Sequence, residues 1–190
     1  MVKRSRYMVP LLLLCALTVY AYISYYSQES ILDRVVQRNG YELYQRQQSV
    51  PFEFYLDPDW LPKTSEEVEY HIQLGSLHNT DIILDRIISR DKSIYIGLKA
   101  VPHMKIFLGS FLYIWDIKDN NTSSSYDPID EWQLLDKNRL PLQQFTMNYG
   151  TGEGPGNTFG IEIDKKYMEL LQQGLYFKFS GFILYEYWKK

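Results

Sequence analysis

The chain of 190 residues holds one cysteine, Cys15, and three histidines, His71, His78 and His103. A lone cysteine excludes an intrachain disulfide, and Cys15 sits in an apolar run where a thiol behaves as a small apolar residue. Outside that run no thiol remains for nucleophilic catalysis, and no Gly-x-Ser-x-Gly elbow offers a serine in its place. The glycine-rich stretch at 150–157, GTGEGPGN, lacks the Gly-Lys-Ser/Thr ending of a phosphate-binding loop. It leads into Phe159-Gly160-Ile161-Glu162-Ile163, a strand-like sequence, where a phosphate cradle needs a helix N-terminus. It therefore reads as a hairpin loop, and no cofactor is expected.

Charge is missing altogether from Tyr7 to Tyr26, a run of twenty residues preceded by Lys3, Arg4 and Arg6. At about 1.5 Å rise per residue a helix of this length crosses a hydrocarbon layer of roughly 30 Å. The basic residues in front favour a cytoplasmic N-terminus, and Tyr20, Tyr22, Tyr25 and Tyr26 fall where an aromatic belt meets the far headgroups. A cleaved signal peptide, cut near Ala21, is the alternative. Its apolar segment usually spans only about 7 to 15 residues, and here bulky residues carry the run to membrane length. Lipid attachment at Cys15 is disfavoured by Leu14 in the preceding position, where a small residue is expected. Pro10 falls in the first turn of the span, where its missing N–H costs no helical bond.

Beyond residue 6 the chain carries 17 basic and 23 acidic side chains, a net charge of −6. Nucleic acid and anionic surfaces are poor partners for the domain as a whole on this count. The expected organisation is a cytoplasmic tail at 1–6, a transmembrane signal anchor at 7–26, a short helix and linker at 27–49, and an extracytoplasmic β domain at 50–190. In the third segment Ser30 reads as an N-cap, Ile31, Leu32, Val35 and Val36 form an apolar stripe, and Asn39-Gly40 supplies the stop. The polar tract Gln45 to Ser49 reads as linker.

From Val50 the periodicity changes to two. Val50, Phe52, Phe54 and Leu56 alternate with polar residues before the turn Asp57-Pro58-Asp59, and Val68, Tyr70, Ile72 and Leu74 alternate with Glu67, Glu69, His71 and Gln73. Strands at 82–88 and 93–99 are separated by a short polar connection, which predicts a hairpin. Lys105 to Ile117 is apolar on both faces and predicts a central strand, followed by a polar loop at 116–130 in which Asn120 and Asn121 each head a glycosylation sequon. Strands at 143–149 and 158–163, a helical turn near 165–172 and a closing strand at 175–188 complete the chain. In the closing strand the odd positions from Leu175 to Tyr187 are expected to line the core.

The approach Leu171-Gln172-Gln173-Gly174-Leu175-Tyr176 resembles the turn-then-tyrosine entry of late strands in immunoglobulin-like sandwiches, whose tyrosine hydroxyl bonds back to the preceding loop. With the strand count this predicts a mainly β fold, an antiparallel β-sandwich of immunoglobulin-like or related type, with a β-barrel as alternative.

Candidate chemistry is thin. His71 with Glu67 and Glu69 on one strand face reads as a solvated face, since metal ligands cluster more tightly. Asp57 and Asp59, and Asp127, Asp130 and Glu131, sit in proline-containing turns where aspartate serves geometry. Aromatic side chains make up 16% of the chain, and Trp60 and Trp132, each beside acidic residues, are expected to be exposed. The reading is a non-enzymatic module of an envelope or cell-surface complex that binds a protein partner through Trp60, Trp132, Asp57, Asp59, Asp130 and Glu131. The alternatives are an extracytoplasmic domain that binds or hydrolyses glycan with two of these carboxylates, and a small-ligand carrier.

Overall fold

In the computed structural model, which describes residues 5–64, 66–118, 122–124, 131–142, 147–151 and 157–190, the uncharged run is a 22-residue helix, α1 (Ser5–Tyr26). It is long and apolar enough to cross a membrane, and its window Val9–Tyr26 is 0% buried inside the molecule. The helix starts before the run, so Pro10 lies in its second turn instead of the first and leaves the Arg6 carbonyl without a helical donor. Thr18 turns its hydroxyl back onto the Leu14 and Cys15 carbonyls at 3.0 and 2.9 Å.

A single extended residue, Ser27, separates α1 from α2 (Gln28–Val36). Ser27, not Ser30, is the N-cap: its hydroxyl accepts from the Ser30 N–H at 3.2 Å, while the Ser30 hydroxyl bonds the Ser24 carbonyl of α1. Arg34 of α2 donates to the Tyr25 carbonyl at 2.7 Å and lies 3.8 Å above the Tyr25 ring. Ile31 and Val35 are buried in a cluster with Tyr41, Phe111, Tyr113, Tyr185 and Tyr187. The short helix is thus docked on the β domain, and Gln28 Oε1 accepts the Met104 N–H.

Left-handed backbone at Arg38 (φ 55°) and Gly40 (φ 77°) ends the helical region, and β1 (Tyr41–Leu56) begins at once. The tract at 45–49, expected as linker, lies inside this strand. Its side chains are mostly exposed, and β1 runs along an edge of the described sheet, where polar residues satisfy a strand as well as a loop. The remaining strands are β2 (Glu67–Leu77), β3 (Thr80–Ser89), β4 (Ser93–Pro102), β5 (Leu108–Tyr113), β6 (Asp116–Ile117), β7 (Ser123–Ser124), β8 (Trp132–Leu135), β9 (Met147–Thr151), β10 (Thr158–Asp164) and β11 (Leu175–Lys189), with a helical turn, α3 (Met168–Leu171), before the last.

They form two antiparallel sheets and a two-residue ribbon of β6 with β7. One sheet has the order β1-β11-β5, with β8 also on β11, and the other runs β2-β3-β4-β10-β9. The expected hairpin between β3 and β4 is present, as is one between β2 and β3, where His78 and Asn79 at φ 49° and 57° make the tight two-residue turn. Inner residues of both sheets share one core, including Phe54, Ile82, Leu84, Ile96, Phe159, Phe177 and Phe182. Thr80 ties the layers: its buried hydroxyl accepts the Leu112 N–H at 2.9 Å. Among the described residues no closed barrel forms.

Two expectations about strand roles are corrected. The residues 108–113 are buried toward their end on both faces, but among the described strands β5 pairs only with β11, so β11 is central. Nor do the odd residues of β11 all face one way. Val50 pairs with Phe182 and Phe52 with Phe179, so Ser180-Gly181 adds one residue to β11 and switches its parity. Leu175, Phe177 and Phe179 face the inter-sheet core together with Phe182 and Leu184, whereas Ile183, Tyr185 and Tyr187 face α2. Gly181 permits this because a Cβ there would lie 2.3 Å from the Phe179 ring.

The immunoglobulin-like detail at Tyr176 is not found. Its ring lies 5.2 Å from that of Tyr55 and 4.9 Å from the Arg139 guanidinium, and among the described residues its hydroxyl makes no bond to the 171–174 turn.

Docking of α2 carries measurable stability. Ile31→Ala, which empties a fully packed position, is expected to cost about 2–4 kcal/mol. Asp33→Ala on the exposed face should stay within about 0.5 kcal/mol. Urea unfolding of the full chain in detergent, followed by tryptophan emission, measures both.

Candidate binding groove

Where the edge strands β1 and β2 of the two sheets face each other, at the end of β1 farthest from α1, a groove of about 470 Å³ opens. Its floor is apolar, with Phe54, Ile72 and Leu74, and its rim carries Glu53, Tyr55, Asp57, Trp60, Arg139 and Tyr176. The alternation of β1 explains this split: even residues from Val50 to Leu56 point to the core and odd ones to solvent. Tyr55 of β1 is directly opposite Tyr176 of β11, so two outward tyrosines meet as a cross-strand ring pair.

The turn after β1 shapes the other wall. Asp57 Oδ1 accepts the Asp59 N–H at 3.0 Å and caps a single helical turn, Pro58–Trp60. Tyr70 of β2 donates its hydroxyl to the Trp60 carbonyl at 2.6 Å, which holds the half-buried indole against the core. Arg139 stacks over Tyr176 and pairs with Glu53 at 3.2 Å. Gly174, at φ 77°, lets the chain pass beneath Tyr55, since a Cβ there would lie 1.9 Å from the Tyr55 hydroxyl.

Of the residues singled out from sequence, the structure brings Trp60 and Asp57 into this groove, with Asp59 exposed on the same turn. Trp132 is elsewhere. Only 4% exposed, it packs in the inter-sheet core against Phe159, Phe177 and Phe179, with ring centroids 4.8 to 6.5 Å apart. Its acidic neighbours precede a strand whose alternation turns the indole inward, so the expected exposure is overturned. Glu131 stands just before β8, and Asp130 and Asp127 lie outside the described residues, as do Asn120, Asn121 and the centre of the glycine-rich stretch. The rim residues that sequence reading missed, Glu53 and Tyr55, Arg139, and Tyr176, come from three segments far apart in the chain. The cue was an outward tyrosine on each of two strands, but their register is set only by pairing.

Two of the histidines, His71 and His103, lie beside carboxylates in separate places. His71, at φ 55° beside a bulge in β2, lies 4.0 Å from Glu69 and 3.8 Å from Asp85, while Glu67 turns to Arg86 at 2.9 Å. His103 meets Asp81 at 2.7 Å. Among the described residues no group of three or more potential ligands could hold a metal ion. What the groove offers is ring faces, a guanidinium and carboxylates already engaged in a cap and an ion pair. That is the chemistry of recognition.

Comparison with protein-family models, curated proteins and solved structures returns no match to this chain.

Gly40 and Gly174, both left-handed, separate local strain from groove geometry. Gly40→Ala and Gly174→Ala each place an L side chain at φ 77°, which costs about 1–2 kcal/mol. No atom lies within 4 Å of a Cβ at Gly40, so only Gly174→Ala should in addition displace Tyr55. Thermal unfolding gives the common loss, and solvent perturbation of tyrosine absorbance reports the extra exposure.

Acid sensitivity is expected at Glu162, whose carboxylate accepts from Ser93 Oγ at 2.5 Å and Arg90 at 2.7 Å. The Ser93 hydrogen bond, then Arg90, holds this carboxyl below its usual range. A depressed carboxyl contributes stability above its unfolded value and loses it as pH falls through the folded one. Unfolding midpoints measured from neutral pH down into the acid range should therefore fall less steeply in Glu162→Gln than in the unsubstituted chain.

Proposed function

We propose that this chain is a single-span membrane protein with a cytoplasmic N-terminus, whose β-sandwich lies on the periplasmic or extracellular side and serves a larger envelope or cell-surface assembly by binding a protein partner. The observation that carries the reading is a division of labour along the molecule. Among the described residues none of the Val9–Tyr26 window of α1 is buried, and the aromatic groove lies at the far end of the 16-residue β1, a strand about 50 Å long at the usual rise. Lys3, Arg4 and Arg6 ahead of the span support the orientation. Tyr55, Trp60 and Tyr176 supply large contact area at low entropic cost, with Arg139 and Glu53 as a polar rim.

The Tyr55–Tyr176 pair beside Trp60 also favours glycan as a second reading, because sugar rings stack on such faces. One experiment separates the two. The full-length chain, extracted from membranes in mild detergent, should retain a stoichiometric protein partner. Tyr55→Ala with Arg139→Ala, both exposed, should weaken that association by about thirtyfold, as expected for a hot-spot pair worth about 2 kcal/mol. Retention on polysaccharide, lost in the same variant, would favour the glycan reading. A membrane-bound monomer that retains neither would overturn both.

A further inference from the structure

We infer that the end of the β domain beside α1 is a membrane-seating ledge, in which Phe107 and Leu108, flanked by Lys105, Lys189 and Lys190, rest in the headgroup layer of the leaflet from which α1 emerges. The inference depends on α1 being a span. Phe107 and Leu108 are consecutive residues 68% and 65% exposed, and Trp188, paired with Leu108 across β5 and β11, is 48% exposed. Scattered exposed apolar residues are ordinary on a protein surface, but here they are clustered at one end of one sheet.

Three observations name the bilayer as their cover. First, a groove of about 580 Å³ runs from Tyr22 and Tyr26 of α1 to Ile106, Phe107 and Leu108, so the ledge continues the surface of the helix itself. Tyr26 ends α1 and Tyr22 lies about one turn before it, which sets the groove at the boundary of hydrocarbon and headgroups.

Second, the ledge is rigid. The Tyr187 hydroxyl accepts the Lys105 N–H at 2.6 Å and donates to the Lys105 carbonyl at 2.9 Å, Tyr41 donates to the Ile106 carbonyl at 2.9 Å, and the Lys189 N–H donates to the Phe107 carbonyl at 2.7 Å. An apolar pair held out to water by this many backbone bonds is a built surface. The α1–α2 joint, with its Ser27 cap and the Arg34–Tyr25 contact, fixes the helix against the same end.

Third, charge fits. The chain beyond residue 6 is acidic, yet this corner gathers three lysines whose stems can lie along apolar surface while their ammonium groups reach phosphate. The carboxylates facing them are Glu42, paired with Lys190 at 3.2 Å, and Glu186, 4.0 Å from Arg46.

The test uses the full chain in vesicles of phosphatidylcholine and phosphatidylglycerol. In a Cys15→Ser background a fluorophore is attached at Phe107→Cys or, at the opposite end, at Asp59→Cys, both exposed positions. Lipid-borne nitroxide should quench the first several-fold more than the second. Without labelling, brominated lipid should quench the native tryptophan emission, and Trp188→Phe should remove most of that quenching. Equal, weak quenching at both labels, or unchanged bromolipid quenching in Trp188→Phe, in protein that resists alkaline carbonate extraction overturns the ledge and leaves the anchor standing. Protein released by carbonate overturns the anchor, and the ledge with it.

Discussion

The whole β domain depends on the pairing of β11 with its neighbours and on the extra residue at Ser180-Gly181. This strand holds β1 along one edge and β5 and β8 along the other. Before the bulge only one of its faces is buried. After it, both are: Phe182 and Leu184 enter the inter-sheet core, and Ile183, Tyr185 and Tyr187 enter the core beneath α2. Without the parity switch Phe179 and Phe182 could not stand on the same face, 4.9 Å apart with rings nearly perpendicular. The bulge is what allows one sheet to support two cores.

Because the second core exists, α2 is part of the domain rather than a tether. Ile31 and Val35 are buried, and the polar ends of the tyrosines around them are used. Tyr185 accepts the Ile117 N–H at 2.8 Å, and Tyr41 and Tyr187 hold the backbone at 105–106. Burial pushes the Tyr113 and Tyr185 phenols up to about 12, so they stay neutral donors and acceptors through the physiological range. Much of the aromatic excess is thereby structural: ring faces fill the cores and hydroxyls satisfy connections that no strand pairs. Among the described residues of the β domain, Tyr55 and the half-buried Tyr176 meet at one end, and Phe107 and Trp188 are exposed at the other.

Periodicity made the alternating strands legible. Val50, Phe52, Phe54 and Leu56 point inward as their spacing requires, the β3–β4 hairpin falls where a short polar connection allowed it, and the turn at 165–172 is present. Local pattern misled where it was degenerate. A polar tract reads alike as linker and as an edge strand, which is how 45–49 vanished into β1. A continuous apolar run reads alike as a strand flanked on both edges and as one covered on both faces, which is how β5, paired only with β11 among the described strands, reads as central. Trp132 looked exposed because its neighbours are acidic, although alternation within β8 decides its direction. Of the groove, only Trp60 and Asp57 were visible, since they share one turn with recognisable capping chemistry.

The sequence by itself determined the uncharged rod, the β class and most inward-facing positions, because each follows from composition or spacing within a few neighbouring residues. Only the tertiary structure decided which strand is central, where β11 changes face, that α2 docks, and that Tyr55 meets Tyr176 while Phe107 and Leu108 meet the end of α1. Those are relations between segments many residues apart. They are fixed by hydrogen-bond register and by competition for a limited volume of core, and neither leaves a trace in any local run of residues.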